Sequence, residues 1–357
     1  MGDGVLVAGF EPLTDLAGLE VRWRALEAEA PPNIFTSWTW IGSWLRATGA
    51  RPELLAVRGE AGADVALALI GRSLDKRLFW QVPTLRLNEA GDARADRAFI
   101  EYNAPLCRAG SETAVAQAMG DALARRTDWR AMRLSGVVPD APLLATISAR
   151  RKTLLDRSPV YCVDLEAVRS AGGDYLSLLS ANTRSQIKRS AKDYPRGEAV
   201  VTLARDHPTA RQWLAEMQAL NAGRHADNAW DEPVFRAFAA EITQAGMADG
   251  SVELMRVGVD RAPLGYLLNF RCGGRAMNYQ SAFAELASPK AKPGLMTHAA
   301  AVRHYANEGL DLYSLLAGKD RYKQSLATGE EVLEWWMLER FSLRLEAEYW
   351  LRRLLRR

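Results

Sequence analysis

Apolar and polar positions along the chain fall into two similar series that start 200 residues apart, at Glu53 and Glu253. In the first, Glu53-Leu54-Leu55-Ala56-Val57-Arg58 and Val65-Ala66-Leu67-Ala68-Leu69-Ile70 flank a Gly/Asp turn. In the second, Glu253-Leu254-Met255-Arg256-Val257-Gly258 and Leu264-Gly265-Tyr266-Leu267-Leu268-Asn269-Phe270 flank a turn at 260–263. Apolar runs of strand length around turn residues read as β-hairpins. A helical pattern precedes each hairpin (38–47; 234–245), and a third short strand follows (78–82; 276–281). Further on, a helix (112–126; 295–307) leads into another strand (131–136; 310–316). The matching order predicts a tandem α/β (α+β) architecture, each unit a mostly antiparallel sheet flanked by helices. The expected domains are 1–160, 161–341 and a basic amphipathic helix at 342–357.

The two series differ at the start of one helix. In the second, Ser288-Pro289-Lys290-Ala291-Lys292-Pro293-Gly294-Leu295 introduces it. Lysines followed by Pro and Gly leave free N–H groups at a helix N-terminus, where the dipole amounts to about +0.5 charge. Such ends bind phosphates, and glycine permits close approach. The corresponding first-half helix opens Gly110-Ser111-Glu112, with an acid where a phosphate would sit. The second unit is therefore expected to bind a phosphorylated ligand and the first is not. A plain turn before a helix is the other reading of Pro293-Gly294.

Composition narrows the class. Hydrophobic residues make up 48% and charged residues 25%, as in ordinary globular protein. The 46 Lys and Arg exceed the 43 Asp and Glu by three, and the last twenty residues alone carry that surplus. The rest is balanced, which argues against a nucleic-acid partner. Cys107, Cys162 and Cys272 stand far apart without a Cys-x-x-Cys or Cys/His cluster, so no metal site is expected and a reducing, cytoplasmic setting is. The start has no signal-peptide pattern, and no run reaches the ~18 apolar residues of a membrane span. Gly-x-Ser-x-Gly, Walker A, Gly-x-Gly-x-x-Gly and His-Glu-x-x-His are all absent. His225 has Asp227 and Asp231 after it, neither at the gap of the His-x4-Asp acyltransferases.

Several pieces taken together resemble a known family. They are Phe35-Thr36-Ser37-Trp38 with Trp44 and Phe99-Ile100-Glu101-Tyr102-Asn103 in the first half. In the second they are 182–189 (Asn-Thr-Arg-Ser-Gln-Ile-Lys-Arg), Tyr279-Gln280-Ser281-Ala282-Phe283, Pro293-Gly294-Leu295 and 317–323 (Ala-Gly-Lys-Asp-Arg-Tyr-Lys). Their order and spacing resemble the CelD/BcsL-type acetyltransferases of the GNAT superfamily, relatives of the Fem peptidyltransferases. The resemblance spans about 35–340 and implies tandem GNAT-like folds that transfer an acyl group from a thioester to an amine. It also implies acyl-CoA as donor, its pyrophosphate at the Pro293-Gly294-Leu295 helix start, or the phosphopantetheine of an acyl carrier protein in the same slot. Lys290 and Lys292 would add charge there. Many members carry an acid after the late-strand tyrosine, where this chain has Ser314.

Acyl transfer to an amine needs a base, a polarised carbonyl and a proton for the leaving thiolate. Glu101, in an apolar-aromatic stretch, is the first candidate base, or else an ion-paired strand residue. His298, one turn into the phosphate-facing helix, is a second candidate or a core histidine. Lys323 takes, by resemblance to the Fem enzymes, the role of stabilising developing negative charge. Tyr279 and Tyr322 are candidate proton donors or core tyrosines. Arg184 and Lys188 lie one turn apart with Arg189 beside them, and meet a carrier phosphate or form a solvated basic face.

The tail bears on the acceptor. At 100° per residue Leu343, Ala347, Trp350, Leu351 and Leu354 share a face, with Arg352, Arg353, Arg356 and Arg357 largely opposite. That pattern suits peripheral contact with a membrane, or a helix docked on its own domain. Some members of the family N-acylate sphingoid bases, so the expected acceptor is a sphingoid-base lipid amine giving a ceramide-type product. An amino sugar or envelope polysaccharide is the alternative acceptor, and a non-catalytic scaffold the alternative function.

Overall fold

The computed structural model describes residues 6–355 apart from 195–197, 225, 226, 261, 287 and 289. His225, Pro289, Arg356, Arg357 and the start of the chain thus lie outside the described residues. The chain runs through strands β1 (Val7–Glu11), β2 (Glu53–Arg58), β3 (Asp64–Lys76), β4 (Gln81–Leu87), β5 (Leu106–Cys107) and β6 (Ala131–Val137). Helices α1 (Leu16–Glu27), α2 (Trp38–Thr48), α3 (Glu112–Arg125) and α4 (Pro142–Thr146) join them. Strand β7 (Arg151–Asp164) leads to α5 (Leu165–Ser170), α6 (Ala181–Ser190), β8 (Val200–Leu203), α7 (His207–Asn221) and α8 (Pro233–Met247). Then come β9 (Val252–Val259), β10 (Ala262–Cys272), β11 (Arg275–Phe283), α9 (Pro293–Asn307), β12 (Leu312–Ala317) and α10 (Arg321–Leu326). Strand β13 (Gly329–Glu339) and helix α11 (Leu343–Leu355) finish the described chain.

Two compact units result: residues 1–157 with 333–357, and residues 158–332. In the first, the strand order is β1-β2-β3-β4-β6-β13, with β5 on β3. In the second it is β8-β9-β10-β11-β12-β7. Each sheet is antiparallel except at one step, β4 with β6 and β11 with β12. The duplication read from the pattern is therefore present, with one exchange. The sixth strand of the first sheet is the late β13, paired antiparallel to β6. The sixth strand of the second is the early β7, paired antiparallel to β12. A simple division at 160 and 341 therefore misses an exchange of strands: the chain changes unit within β7 and again within β13. Strand β7 escaped the pattern reading because residues 152–157 alternate little and are exposed, while only 158–163 enter a core.

Local chemistry accounts for the elements. Ser37 opens α2 by accepting a hydrogen bond from the Trp40 N–H at 3.2 Å, a cap worth about 1 kcal/mol. Phe35 meets Trp40 edge to face at 4.7 Å, and Trp23 donates to the Thr36 carbonyl at 2.8 Å. The Phe-Thr-Ser-Trp motif is thus a helix start locked into the first core. Strand β4 begins at Gln81 rather than 78, because 77–80 form the turn closed by Arg77 N–H to Trp80 O at 2.8 Å. Residues 99–103 form no strand. Phe99 and Tyr102 take left-handed φ of 53° and 45°, and buried Asn103 donates to Leu87 O at 2.9 Å.

Candidate active site

In the second unit the sheet opens after the short parallel pairing of β11 with β12, which covers Arg275 to Met277 against Leu312 to Ser314. Helix α9 follows β11 and lays Leu295, Met296, Ala299 and Val302 into the unit's core. Pro293 occupies the first helical position, where its missing N–H costs nothing. A Cβ at Gly294 would come within 3.1 Å of the Phe283 ring, so glycine fits there and larger residues displace the ring. No side chain caps the start of α9. Ser190, at the end of α6, accepts from the Lys292 N–H at 2.7 Å and donates to Met296 Sδ at 3.1 Å, tying the two helices together. Lys290 and Lys292 are exposed at this start, as are Lys188 and Arg189 on α6. Leu295 is buried and offers only its backbone, and Arg184 turns back toward the Ser177 carbonyl at 3.5 Å. Uncapped amides, a helix dipole and exposed lysines together make a positive helix start, of the kind that suits an anion.

One turn on, His298 is fully buried. Its Nδ1 lies 2.9 Å from the Tyr313 hydroxyl, and its ring stacks on Tyr322 at 6.1 Å and meets Phe283 at 5.7 Å. Among the described groups Nε2 has no hydrogen-bond partner. Burial, then the charge of Lys323, pushes its pKa down to about 3. The imidazole is therefore neutral at physiological pH, and one so hard to protonate is a weak base. Its burial fits the core-histidine reading better than the general-base one.

Lys323 Nζ donates to the Ala317 carbonyl at 2.8 Å and lies 3.5 Å from that of Leu316. Its charge is thus fixed at the end of β12. There Leu316 adopts φ 57° and the pairing with β7 slips between Ser314 and Ala317. Within this distortion Ser314 accepts from the Leu316 N–H at 3.1 Å. Tyr322 is 39% exposed, yet burial of its hydroxyl and the charge of Asp320 push its pKa up to about 12. It keeps its proton at neutral pH.

The structure brings His298, Tyr322 and Lys323 together with Tyr313 and Phe283, and Phe283 links them to Gly294. Tyr279 packs in another aromatic cluster of the second unit. It is the extra residue of a bulge in the β10–β11 pairing and packs on Phe270 at 4.9 Å and on Phe235 and Phe238 of α8 at 6.2 Å. These ring contacts fit the alternative expected of it, a core tyrosine. Glu101 lies in the first unit, half-buried in the irregular stretch 99–103. The strand placement considered for it is wrong.

Two polar groups were missed. Behind the opening, Arg271 pairs with Glu253 at 2.8 Å and Tyr305 donates to Glu253 at 2.9 Å. Asn269 donates to Tyr305 at 2.9 Å, Asn278 to Asn269 at 2.9 Å, and Ser281 to Asn278 at 2.7 Å. Two asparagines inside otherwise apolar strands were the available signal. In the first unit, burial and the neighbouring charge of Asp96 push the Glu89 carboxyl up to about 7, while Ser135 donates to it at 2.9 Å. Among the described residues no His/Cys/Asp/Glu group could hold a metal, and no helix is long and apolar enough to cross a membrane.

Residues 181–324 match the family model described as an acetyltransferase (GNAT) domain, a span within the second unit and under half of the chain. No curated protein matches. Among solved structures, FemX superposes with a TM-score of 0.56 at 11% identity, over 92% of this chain and 97% of that one. L-PGS from Bacillus licheniformis gives 0.52 at 11% identity, over 94% and 97%. A C-terminal domain described as that of a lysylphosphatidylglycerol synthetase from Agrobacterium fabrum gives 0.56 at 12% identity, over 94% and 95%. These likenesses show a shared fold. The family match itself is confined to residues 181–324, which carry a domain of the acetyltransferase (GNAT) type.

Proposed function

We propose that the protein is an N-acyltransferase, moving an acyl group from acyl-CoA to an amine, with the start of α9 holding the donor's phosphates. The observation that carries this is the helix start itself: Gly294 pressed against Phe283, no capping side chain, and Lys290 and Lys292 exposed beside it. An acid cap or a β-branched residue would close the same place. When bound, acyl-CoA would supply a thioester carbonyl and, on cleavage, a thiolate. Lys323, anchored on Ala317, places a fixed positive charge at the strand end to stabilise developing negative charge. Tyr322 keeps its proton to neutral pH and can give it to a leaving thiolate. Neutral His298 orients Tyr313 and offers Nε2 as a hydrogen-bonding group. An acyl carrier protein's phosphopantetheine would use the same helix start.

The acceptor we favour is a sphingoid-base lipid amine, giving a ceramide-type product as the CelD/BcsL-type resemblance implies. What supports a lipid is the tail, whose apolar side chains Leu343, Trp350 and Leu354 stay exposed. Mass spectrometry of the purified protein with a long-chain acyl-CoA and a sphingoid base tests this. An N-acylated product that disappears without protein supports the reading. CoA release only with an amino sugar would replace the lipid acceptor, and no acyl-CoA binding would leave a scaffold. Glu101→Gln reports on the base: a tenfold loss keeps Glu101 in the mechanism and full activity removes it.

A further inference from the structure

Helix α11 is amphipathic, but the side that docks is not the apolar one. At 100° per residue Leu343, Ala347, Trp350 and Leu354 form one stripe. The buried residues, Leu345 and Glu348, lie nearly opposite. Leu345 joins Val82, Ala131 and Met337, with Trp80 against them. Glu348 pairs with Arg352 at 2.7 Å, and the Arg151 guanidinium sits 4.0 Å over the Tyr349 ring. The helix is thus part of the first unit's fold, while its stripe faces outward: Leu343 is 79% exposed, Trp350 56% and Leu354 67%.

The stripe is not isolated. At the first turn of α11 a hollow is lined by Leu343 of the stripe together with Phe341 and Trp80. The β3–β4 turn carries exposed Leu78 and Phe79 (71%), the latter packed on Trp80 at 5.9 Å. Scattered apolar side chains are ordinary on a surface, but a joined set on neighbouring elements marks an interaction site.

Charge selects the partner. The acids of this face are engaged: Glu339 by Arg77 and Arg151 at 2.8 Å, Glu346 by Arg151 at 3.0 Å, and Glu348 by Arg352. Lys76, Arg344 and Arg353 remain exposed around the apolar set. An apolar surface with tryptophan and phenylalanine, rimmed by cations, fits the boundary of an anionic bilayer. A second copy would set the same positive rim against itself, which like charges oppose.

We propose that this face of the first unit docks on an anionic phospholipid membrane, with the α11 stripe and the 77–80 turn entering the interface together. The proposal rests for its purpose on the lipid-acceptor reading, but its evidence is separate. Cosedimentation of the full chain with phosphatidylcholine vesicles, with and without phosphatidylglycerol, tests it. Binding at least tenfold stronger to the anionic vesicles is expected, weakening as salt rises. Trp350→Ser with Leu354→Ser, or Phe79→Ser alone, should reduce binding at least fivefold. All these side chains are exposed, so the melting temperature and turnover on a water-soluble amine should stay unchanged. Equal binding to both vesicles, or variants that bind like the parent, overturns the proposal. A dimer in lipid-free sedimentation that the same substitutions dissolve overturns it too, assigning the face to a second copy. Turnover on the soluble amine is read separately, so loss of membrane binding and failure of the acyltransferase reading are told apart.

Discussion

Helices α3 and α9 follow the same point in two matching sheets, yet their first turns have opposite chemistry. In α3 the second helical residue is Thr113 and the first is Glu112, whose carboxylate accepts from the Gly110 N–H at 3.1 Å. That carboxylate places a negative charge in the first turn of α3. In α9 the same two positions hold Pro293 and Gly294, with no acid in the first turn. The sixth helical position shows the same contrast: Gln117 is exposed and bonded to Asp121 at 3.0 Å, whereas His298 is sealed inside with one nitrogen unpartnered. Neither helix start has a side-chain cap, so the difference between them is charge and space: an acid in the first turn of α3, proline and glycine in that of α9. On the proposed function, the donor would bind at α9 and not at α3.

The strongest way to break the comparison is to write α3's chemistry into α9. Gly294→Glu should weaken acyl-CoA binding by a factor of 100 or more, about 2.7 kcal/mol, since it adds both a side chain against Phe283 and a negative charge at the phosphate end. A binding titration checks it. Next in size, Lys323→Ala should lower turnover about tenfold or more while leaving acyl-CoA affinity within twofold, as fits a charge used mainly in the transition state. A change confined to affinity would make Lys323 a binding residue instead.

Protons separate the units in the opposite sense. His298 has a folded pKa near 3 against 6.5 in the unfolded chain. Its stability contribution is intact above 6.5 and is lost as pH falls, by about 1.4 kcal/mol per unit until folded His298 protonates. Glu89 has a folded pKa near 7 against 4.5 unfolded. Its contribution is present below 4.5 and is lost as pH rises through about 7. Denaturant melts across pH should therefore show His298→Gln removing a loss of stability as pH falls from about 6.5 toward 3, and Glu89→Gln removing a loss as pH rises from 4.5 to about 7. The smallest effect is expected from Lys290→Ala with Lys292→Ala, a several-fold loss of acyl-CoA affinity that shrinks in high salt because both lysines are exposed.

The repeat was legible because hairpins β2–β3 and β9–β10 carry unbroken apolar runs that only buried strands need. The start of α9 was legible because proline and glycine at a helix start leave few physical meanings. The exchanged strands were not, since pairing of β7 with β12 and β13 with β6 is decided by contacts more than 140 residues apart, not by local pattern. Glu101 misled for a related reason. Aromatic neighbours suggested a strand, whereas the left-handed Phe99 and Tyr102 make a loop pinned by Asn103. Tyr279 misled because a bulge is invisible in sequence and decides which face a side chain takes. The tail gave its amphipathic pattern correctly, but which side docks depended on Val82, Ala131 and Met337 being there to receive Leu345.

The central claim is one acyl-CoA site per chain, at the start of α9. Titration of the purified protein with acyl-CoA, beside the Gly294→Glu variant, measures it directly. The account predicts a single site per chain, lost in the variant, with Glu112→Gln unchanged. Two sites per chain, or binding that survives Gly294→Glu, would contradict it.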